Sequence, residues 1–246
     1  MSERAARIAL VALCLLAPAV FAAKAILRPN GDRFPKPAAI PAVPIVLVTC
    51  PSLSAFDLPN LVSLSRRAVT FERTVSAGND DAAALASILC GALPRDHRVT
   101  DGAASLAADF PTLATILAGH GFASVALLGR PIARACGLDR GFADVRDAPT
   151  SLGAVQQLDS WLGESSPPRF FAWLDLAGAR EEIDASIGAV RAMLRRRRIH
   201  EDVALLVVAG RGDGAPRTFD ERAMRGAILV RLPYEKLAGT VAPMPI

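Results

Sequence analysis

From Ile45 onwards the sequence alternates short, continuously apolar segments with longer amphipathic ones, and this alternation limits the fold more than any other feature. A run such as Ile45 to Thr49 is typical of a strand that is buried on both faces. The segment from Ile183 to Leu194 places an apolar residue at every third or fourth position, which predicts a helix with one buried face. Strands and helices in alternation predict an α/β domain, whose mostly parallel sheet is covered by helices on both faces. The predicted strands are residues 45–49, 69–75, 122–128, 169–176, 203–209 and 227–232.

The N-terminal segment has the pattern of an export signal. Arg4 and Arg7 precede an apolar run from Ile8 to Ala23, and small residues follow. A spanning helix needs about 20 apolar residues, so the run is short for a membrane anchor. Residues 1–26 are therefore predicted to be a cleaved signal peptide, with an uncleaved anchor as the alternative. Either reading predicts an exported protein, periplasmic or anchored to the inner membrane and facing outward.

The amino-acid composition after residue 26 predicts a linker followed by a single domain. Residues 27–43 are rich in proline and have no apolar period, which predicts an extended linker. Residues 44–246 then form the α/β domain. The net charge of +4 does not indicate a nucleic-acid partner, because no basic stripe is interleaved with aromatic residues. The arginine run from Arg195 to Arg198 closes a predicted helix, where cations oppose the helix dipole.

The cysteines of the domain give no framework for a disulfide or a zinc site. Cys50, Cys90 and Cys136 are odd in number and far apart in sequence. Cys50 ends a predicted strand and Cys90 lies in a predicted helix, so we expect buried thiols. The histidines, His97, His120 and His200, are also widely separated, and none is predicted to be catalytic.

Several segments, in order along the chain, resemble signatures of the sulfatase branch of the alkaline phosphatase superfamily. Each is short, and the resemblance rests on their common order from Ile45 to Pro233. The quoted segments are Pro59-Asn60-Leu61, Ser87-Ile88-Leu89-Cys90-Gly91, Pro111-Thr112-Leu113, Gly137-Leu138-Asp139-Arg140-Gly141-Phe142, Asp184 to Leu194, Leu206-Val207-Val208 and Arg225 to Pro233.

The resemblance implies a hydrolase of sulfate, phosphate or phosphonate esters. An intact member holds a divalent cation, usually calcium in sulfatases, on carboxylates at the ends of the first strand and of a late strand. Its nucleophile is a formylglycine, threonine or serine. The family also has a smaller C-terminal subdomain, and the sequence reaches only Ile246 after the last matching segment, so we expect an incompletely closed pocket.

At the metal positions implied by the resemblance, this sequence has lost its oxygen donors. Pro51 stands at the main ligand position, and Phe56 stands where a later aspartate of the same motif falls. Gly212 replaces the late aspartate. None of these side chains can hold a hard cation, which binds oxygen.

The catalytic positions implied by the resemblance are also replaced. Asp81 stands at the nucleophile position, and Leu85 stands where an arginine accompanies it. Asp175 occupies the place of a histidine after the strand that begins near Phe170. Arg130 lies where some members carry a catalytic lysine, and it is the residue predicted to contact an anion.

Two functional hypotheses follow. The first is a sulfatase-like protein without catalysis, which needs no cofactor and binds a sulfated or phosphorylated glycan or a partner protein. The second is an active, metal-dependent ester hydrolase in which Asp57, Asp81 and Asp213 bind calcium or another divalent cation in a shifted arrangement. Against the second, Asp57 and Asp81 can each serve as a helix N-cap, with Asp80 as the alternative cap of the helix that begins near Asp81.

Overall fold

The predicted strands come together in one mixed sheet of eight strands. The computed structural model describes residues 43–52, 57–212 and 224–242. The predicted signal segment, the linker up to residue 42, Phe56 and Asp213 lie outside the described residues. The strands are β1 (Ile45–Ser52), β2 (Val69–Val75), β3 (Ala123–Leu128), β4 (Asp144–Asp147), β5 (Phe170–Asp175), β6 (Ala204–Arg211), β7 (Arg225–Arg231) and β8 (Val241–Ala242).

The described helices connect these strands in the alternation that the sequence predicts. Within the described residues no helix has both the length and the apolar character needed to cross a bilayer. The helices are α1 (Pro59–Ser65), α2 (Asp81–Cys90), α3 (Pro94–His97), α4 (Leu113–Gly119), α5 (Pro131–Ala135), α6 (Ser151–Ser165) and α7 (Arg180–Arg196).

The strand order is β4-β3-β5-β1-β6-β7-β2-β8. The five strands from β4 to β6 are parallel, and β7 runs antiparallel between β6 and β2. The predicted mostly parallel α/β sheet is therefore confirmed. The strand β7 is confirmed, but its antiparallel direction was not predicted, because the apolar run Ala227–Val230 has no feature that distinguishes strand direction. The polar edge strand β4 and the two-residue β8 also lacked the apolar pattern of a strand.

Helices cover both faces of the sheet. On one face, α1, α6 and α7 pack apolar side chains such as Leu61, Leu158 and Ile187 against alternate residues of β1, β3, β5 and β6. The other face meets α2, α4 and α5. Phe142 stacks there on Phe171 and Trp173, with ring centroids 5.3 and 5.7 Å apart. The alternation of β5 therefore places Phe171, Trp173 and Asp175 on this second face.

The strands of the sheet begin and finish along two opposite sides, which are named here by the direction of β1. We call the end at which β1, β5 and β6 finish the carboxyl edge, and the opposite end the amino edge. Because β2 is parallel to these strands, its last residues also reach the carboxyl edge, and β7 finishes at the amino edge. Ligands of open α/β sheets bind beyond the carboxyl ends of the strands, so that edge is the first place to look for a site.

Candidate functional site

Asp175 is the buried centre of the carboxyl edge. It is the last residue of β5, lies between β3 and β1, and its side chain is 0% exposed. Thr49 of β1 donates its hydroxyl to Asp175 Oδ1 at 2.8 Å, and Trp173 Nε1 donates to Thr49 Oγ1 at 2.9 Å. A buried carboxylate is costly unless a cation compensates it. The neighbouring strand supplies that cation.

Arg130 follows β3 and compensates Asp175 through a two-pronged contact. Its Nε donates to Asp175 Oδ2 at 2.9 Å, and its Nη2 donates to Asp175 Oδ1. Its Nη1 donates to Asp81 Oδ2 at 3.1 Å, so all three nitrogens serve carboxylates. Burial opposes the charge, but the hydrogen bond and charge of Asp175, with the charge of Asp81, outweigh it and raise the pKa of Arg130. The guanidinium therefore stays protonated, and the carboxylates of Asp175 and Asp81 balance its positive charge.

Asp81 joins a second arginine to the same cluster. Arg211, the last residue of β6, donates its Nε to Asp81 Oδ1 at 2.7 Å. We call Asp81, Arg130, Asp175 and Arg211 the charged centre. It contains two carboxylates and two guanidinium groups, so its formal charge is zero. It also ties the ends of β3, β5 and β6 to the first residue of α2.

Gly129 allows β3 to approach β5 closely enough for this contact. Its amide donates to the carbonyl oxygen of Asp175 at 2.8 Å. A Cβ atom at this position would lie 2.5 Å from that same oxygen, which is closer than van der Waals contact allows. Glycine therefore holds the backbone before Arg130 against the end of β5.

The charged centre does not fit a divalent cation. Within the described ranges, no group of three His, Cys, Asp or Glu side chains is placed to hold a metal ion. The oxygens of Asp81 and Asp175 already accept from arginines, and the side chain of Pro51 has no oxygen to offer. Gly212 contributes no side chain, and Leu85 is a buried core residue. Calcium would have to displace guanidinium groups that are themselves partly buried.

The two described carboxylates of the shifted-metal hypothesis, Asp57 and Asp81, are each paired with arginine. Asp57 accepts from Arg180 Nη2 at 2.6 Å, and its side chain is 61% exposed. Asp81 belongs to the charged centre. Asp213 lies outside the described residues. The structure therefore gives Asp57 and Asp81 different arginine partners.

Of the aspartates predicted as helix caps, Asp80 is confirmed, whereas the capping roles of Asp57 and Asp81 are wrong. Asp80 is the N-cap of α2 and accepts from Ala82 N at 2.9 Å, which leaves the carboxylate of Asp81 to the arginines. At α1 the N-cap position is Leu58, which makes no side-chain cap. Instead, the carboxylate of Asp184 in α7 accepts hydrogen bonds from the Asn60 and Leu61 amides at the start of α1. A cap from a distant helix cannot be recognised in local sequence.

Ser87 and His97 form a hydrogen bond in which the histidine is the donor, so it cannot act as the base for Ser87. Ser87 Oγ and His97 Nε2 lie 2.9 Å apart, and His97 Nδ1 accepts from Val99 N at 3.1 Å. Because Nδ1 must be unprotonated to accept, Nε2 carries the proton of the neutral ring and donates to Ser87. Burial lowers the pKa of His97, which favours that neutral form. His97 therefore has no lone pair to activate Ser87.

Cys50 is also unsuited to act as a nucleophile. Burial is the largest influence and raises the pKa of its thiol to about 12, with Arg130 opposing the shift. At pH 8 the thiolate fraction is on the order of one in ten thousand. We expect native alkylation with iodoacetamide at pH 8, followed by peptide mapping, to leave Cys50 unmodified until denaturant is added. Rapid labelling of Cys50 in the folded protein would contradict this burial.

The cleft beside the charged centre is small and uncharged. It has a volume of about 190 Å³ and lies between β2, α2, β6 and β7. Thr74, Ser76 and Ser87 are its hydroxyl-bearing residues, and none of its described lining residues is charged. Sulfate and phosphate ester hydrolysis needs cationic groups at the developing negative charge. A larger cleft of about 610 Å³ lies at the amino edge, away from the charged centre.

Sequence reasoning found three members of the charged centre but missed Arg211. The resemblance indicates Asp81, Arg130 and Asp175, whereas Arg211 was set aside as part of the uninformative tripeptide Arg211-Gly212-Asp213. Its position directly after the apolar run of β6 was the available signal, because residues at the carboxyl ends of parallel strands meet at one edge. Thr49, which links Asp175 to Trp173, could have been recognised by the same argument.

Solved structures from the alkaline phosphatase superfamily have the same fold. A phosphonate monoester hydrolase of Agrobacterium radiobacter aligns with a TM-score of 0.69 at 14% identity, over 81% of this chain and 70% of its own. A protein of this superfamily from Vibrio parahaemolyticus aligns at 0.65 and 13%, over 85% and 67%. A 2-O GAG sulfatase aligns at 0.65 and 12%, over 81% and 67%.

The chain therefore has the alkaline phosphatase/sulfatase fold, and the resemblance found in the sequence motifs is confirmed at the level of the fold. No protein-family model matches the sequence, and no curated protein matches it significantly. Similarity at these identities is similarity of fold, so the chemistry of the site has to be argued from its own residues.

Proposed function

We propose that this protein is a non-catalytic, exported sulfatase-like protein that acts by binding a partner. The charged centre is the observation that supports the proposal, because Arg130 and Arg211 donate hydrogen bonds to the carboxylates of Asp81 and Asp175 at the carboxyl edge. A guanidinium group supplies positive charge but, unlike a metal ion, has no coordination position at which a nucleophile could bind. The arginines thus neutralise the carboxylates at the carboxyl edge but do not activate a nucleophile as a metal ion would.

The replaced positions support the same proposal. Pro51 and Gly212 offer no side-chain oxygen where the resemblance implies metal ligands, and Asp81 stands at the position of the nucleophile. The carboxylate of Asp81 is held by Arg130 and Arg211 at 3.1 and 2.7 Å. A carboxylate that accepts from two guanidinium groups is a poor nucleophile, because its charge is already stabilised in the ground state.

The charge balance of the centre also bears on the kind of partner. A sulfated or phosphorylated glycan would need uncompensated cations, whereas the three nitrogens of Arg130 all donate to carboxylates. The centre therefore favours a protein partner over an anionic glycan at this edge. The proposed export rests on the basic residues and apolar run at the N-terminus.

Metal binding and turnover test the proposal directly. Calorimetric titration of the full chain with calcium, manganese and zinc is expected to show no stoichiometric binding. An aryl sulfate and an aryl phosphate are expected to be hydrolysed no faster than in buffer. The Asp81→Ala variant serves as the control for activity that belongs to the site. Stoichiometric metal binding, together with turnover that disappears in Asp81→Ala, would establish the active hydrolase instead.

A further inference from the structure

Basic side chains from four connections lie along the amino edge of the sheet. Arg66 precedes β2, Arg169 precedes β5, and Lys236 follows the end of β7. Arg195 and Arg198 stand at the end of α7, before β6. Neighbouring strands are spaced about 4.8 Å apart, so the four spacings from β5 to β2 spread these residues over roughly 20 Å. All five are exposed.

These five cations are not neutralised by the carboxylates nearby. In the described part of the chain, none of them forms a salt bridge, whereas the neighbouring acidic groups are engaged by other residues. Glu235 pairs with Arg67 at 2.7 Å, and Asp159 pairs with Arg196 and Arg197. Asp202 accepts from the hydroxyl of Tyr234. The edge therefore presents uncompensated positive charge to solvent.

Exposed apolar side chains accompany this charge. Tyr234 is 67% exposed, Leu237 is 63% exposed, and Val241 is about half exposed. All three belong to the segment that follows β7 at the amino edge. An amphipathic tyrosine with neighbouring leucine and basic residues is the composition that stabilises a protein at the headgroup region of a bilayer.

The chain also enters the domain at this edge. Val43 and Pro44 directly precede β1 and line the 610 Å³ cleft together with Tyr234. The apolar run Ile8 to Ala23 stands upstream of this point in the sequence. A membrane-inserted N-terminal segment would therefore be connected to the domain on the side that carries the arginines.

We propose that the amino edge docks on the surface of an anionic bilayer. The docking surface consists of Arg66, Arg169, Arg195, Arg198, Lys236 and the apolar segment from Tyr234 to Val241. Anionic headgroups attract basic side chains within a Debye length, and the apolar side chains enter the headgroup boundary. The docked domain turns its carboxyl edge, with the charged centre, away from the membrane. That edge then remains accessible to a partner.

Tryptophan quenching by brominated lipid tests the orientation of the domain. The native Trp161 and Trp173 are buried, so a Tyr234→Trp variant of the full chain adds one exposed reporter at the amino edge. We expect vesicles that contain brominated phosphatidylglycerol to quench this reporter. Leu152→Trp, at the start of α6 near the carboxyl edge, is the matched control, because Leu152 is also about half exposed. It is expected to remain unquenched.

Removing the positive charges of the amino edge measures how much they contribute to vesicle binding, apart from any insertion of the N-terminal segment. In the Tyr234→Trp background, we combine Arg66→Gln, Arg198→Gln and Lys236→Gln, all at exposed positions. The lipid concentration that quenches half the signal is expected to rise about a hundredfold on anionic vesicles, because each charge contributes roughly fivefold. On phosphatidylcholine vesicles the triple variant should match its parent.

Three results would overturn the proposal. Equal quenching of the Tyr234→Trp and Leu152→Trp variants, or unchanged quenching of the triple variant, would show that the amino edge does not dock. Protection of residue 234 by an acidic polypeptide, without quenching by anionic lipid, would assign the edge to a protein partner instead. Circular dichroism of each variant distinguishes these results from unfolding.

Discussion

Replacing Arg130 with methionine is expected to lower the free energy of unfolding by about 3–5 kcal/mol. The reason is that Asp175 is completely buried, and Arg130 donates two hydrogen bonds to its carboxylate. Methionine fills a similar volume but leaves that charge without a compensating cation. Denaturant unfolding of the full chain, followed by circular dichroism, measures the loss.

Arg211→Met is the matched control for this loss. Arg211 donates to Asp81, and the side chain of Asp81 is 27% exposed, so water can replace this contact when the arginine is removed. We expect a cost of about 1 kcal/mol. Adding Asp175→Asn to Arg130→Met removes the uncompensated charge and should recover roughly half of the loss. An Arg130→Met variant no less stable than Arg211→Met would mean that the charged centre does not hold the carboxyl edge together.

The sign of the Arg130 result also bears on function. Active sites often carry strained or uncompensated groups, so replacing a catalytic residue can leave a protein equally stable or more stable. A structural ion pair behaves in the opposite way. A large loss of stability from Arg130→Met would thus agree with the proposed non-catalytic role, and a gain would favour a working site.

Asp184→Ala is expected to lower the free energy of unfolding by about 2–4 kcal/mol. Asp184 of α7 is buried and accepts from Asn60 N at 3.2 Å, from Asn60 Nδ2 at 2.8 Å and from Leu61 N at 2.8 Å. Alanine leaves these donors at the start of α1 without an acceptor. It also removes the carboxylate that joins α1 to α7, which leaves the contact of Arg191 Nη1 with the Asn60 carbonyl. Thermal and denaturant unfolding measure the effect.

Asp80→Ala provides a comparison at an ordinary cap. Asp80 accepts from the amide of Ala82 at the start of α2, and the expected cost is about 1 kcal/mol. Asp184→Asn keeps one acceptor oxygen and should fall between the two alanine variants. Should Asp184→Ala cost no more than Asp80→Ala, the tie between the two helices would contribute little beyond a normal cap.

The contact of Asp184 also gives one sequence motif a physical reason. Pro59-Asn60-Leu61 and the segment that begins at Asp184 were noted as separate resemblances to the same family. In the structure they meet, because the carboxylate of Asp184 caps the helix that Pro59 begins. Gly188 faces Asn60 and has no room for a Cβ atom, which would clash with Asn60 Oδ1. The two motifs therefore form one structural unit.

The sequence by itself determined six of the eight described strands, the main helices and the α/β class. Apolar periodicity is a local property, and runs such as Val203 to Ala209 bury both faces wherever they lie in the sheet. The lack of a side-chain oxygen at Pro51 and Gly212 also follows from the residue types alone, and that these are metal positions stays a prediction from the motif order. The polar strand β4 and the direction of β7 could not, because neither depends on local hydrophobicity.

Only the tertiary structure decided what the remaining charged residues do. Arg130 and Asp175 are 45 positions apart, and Arg211 and Asp81 are 130 apart, so their pairing depends on the order of strands in the sheet. The sequence placed these residues near one edge but could not distinguish carboxylates arranged around a cation from carboxylates held by arginines. That difference arises from distances of a few ångströms between side chains on separate strands, which only the packed sheet defines.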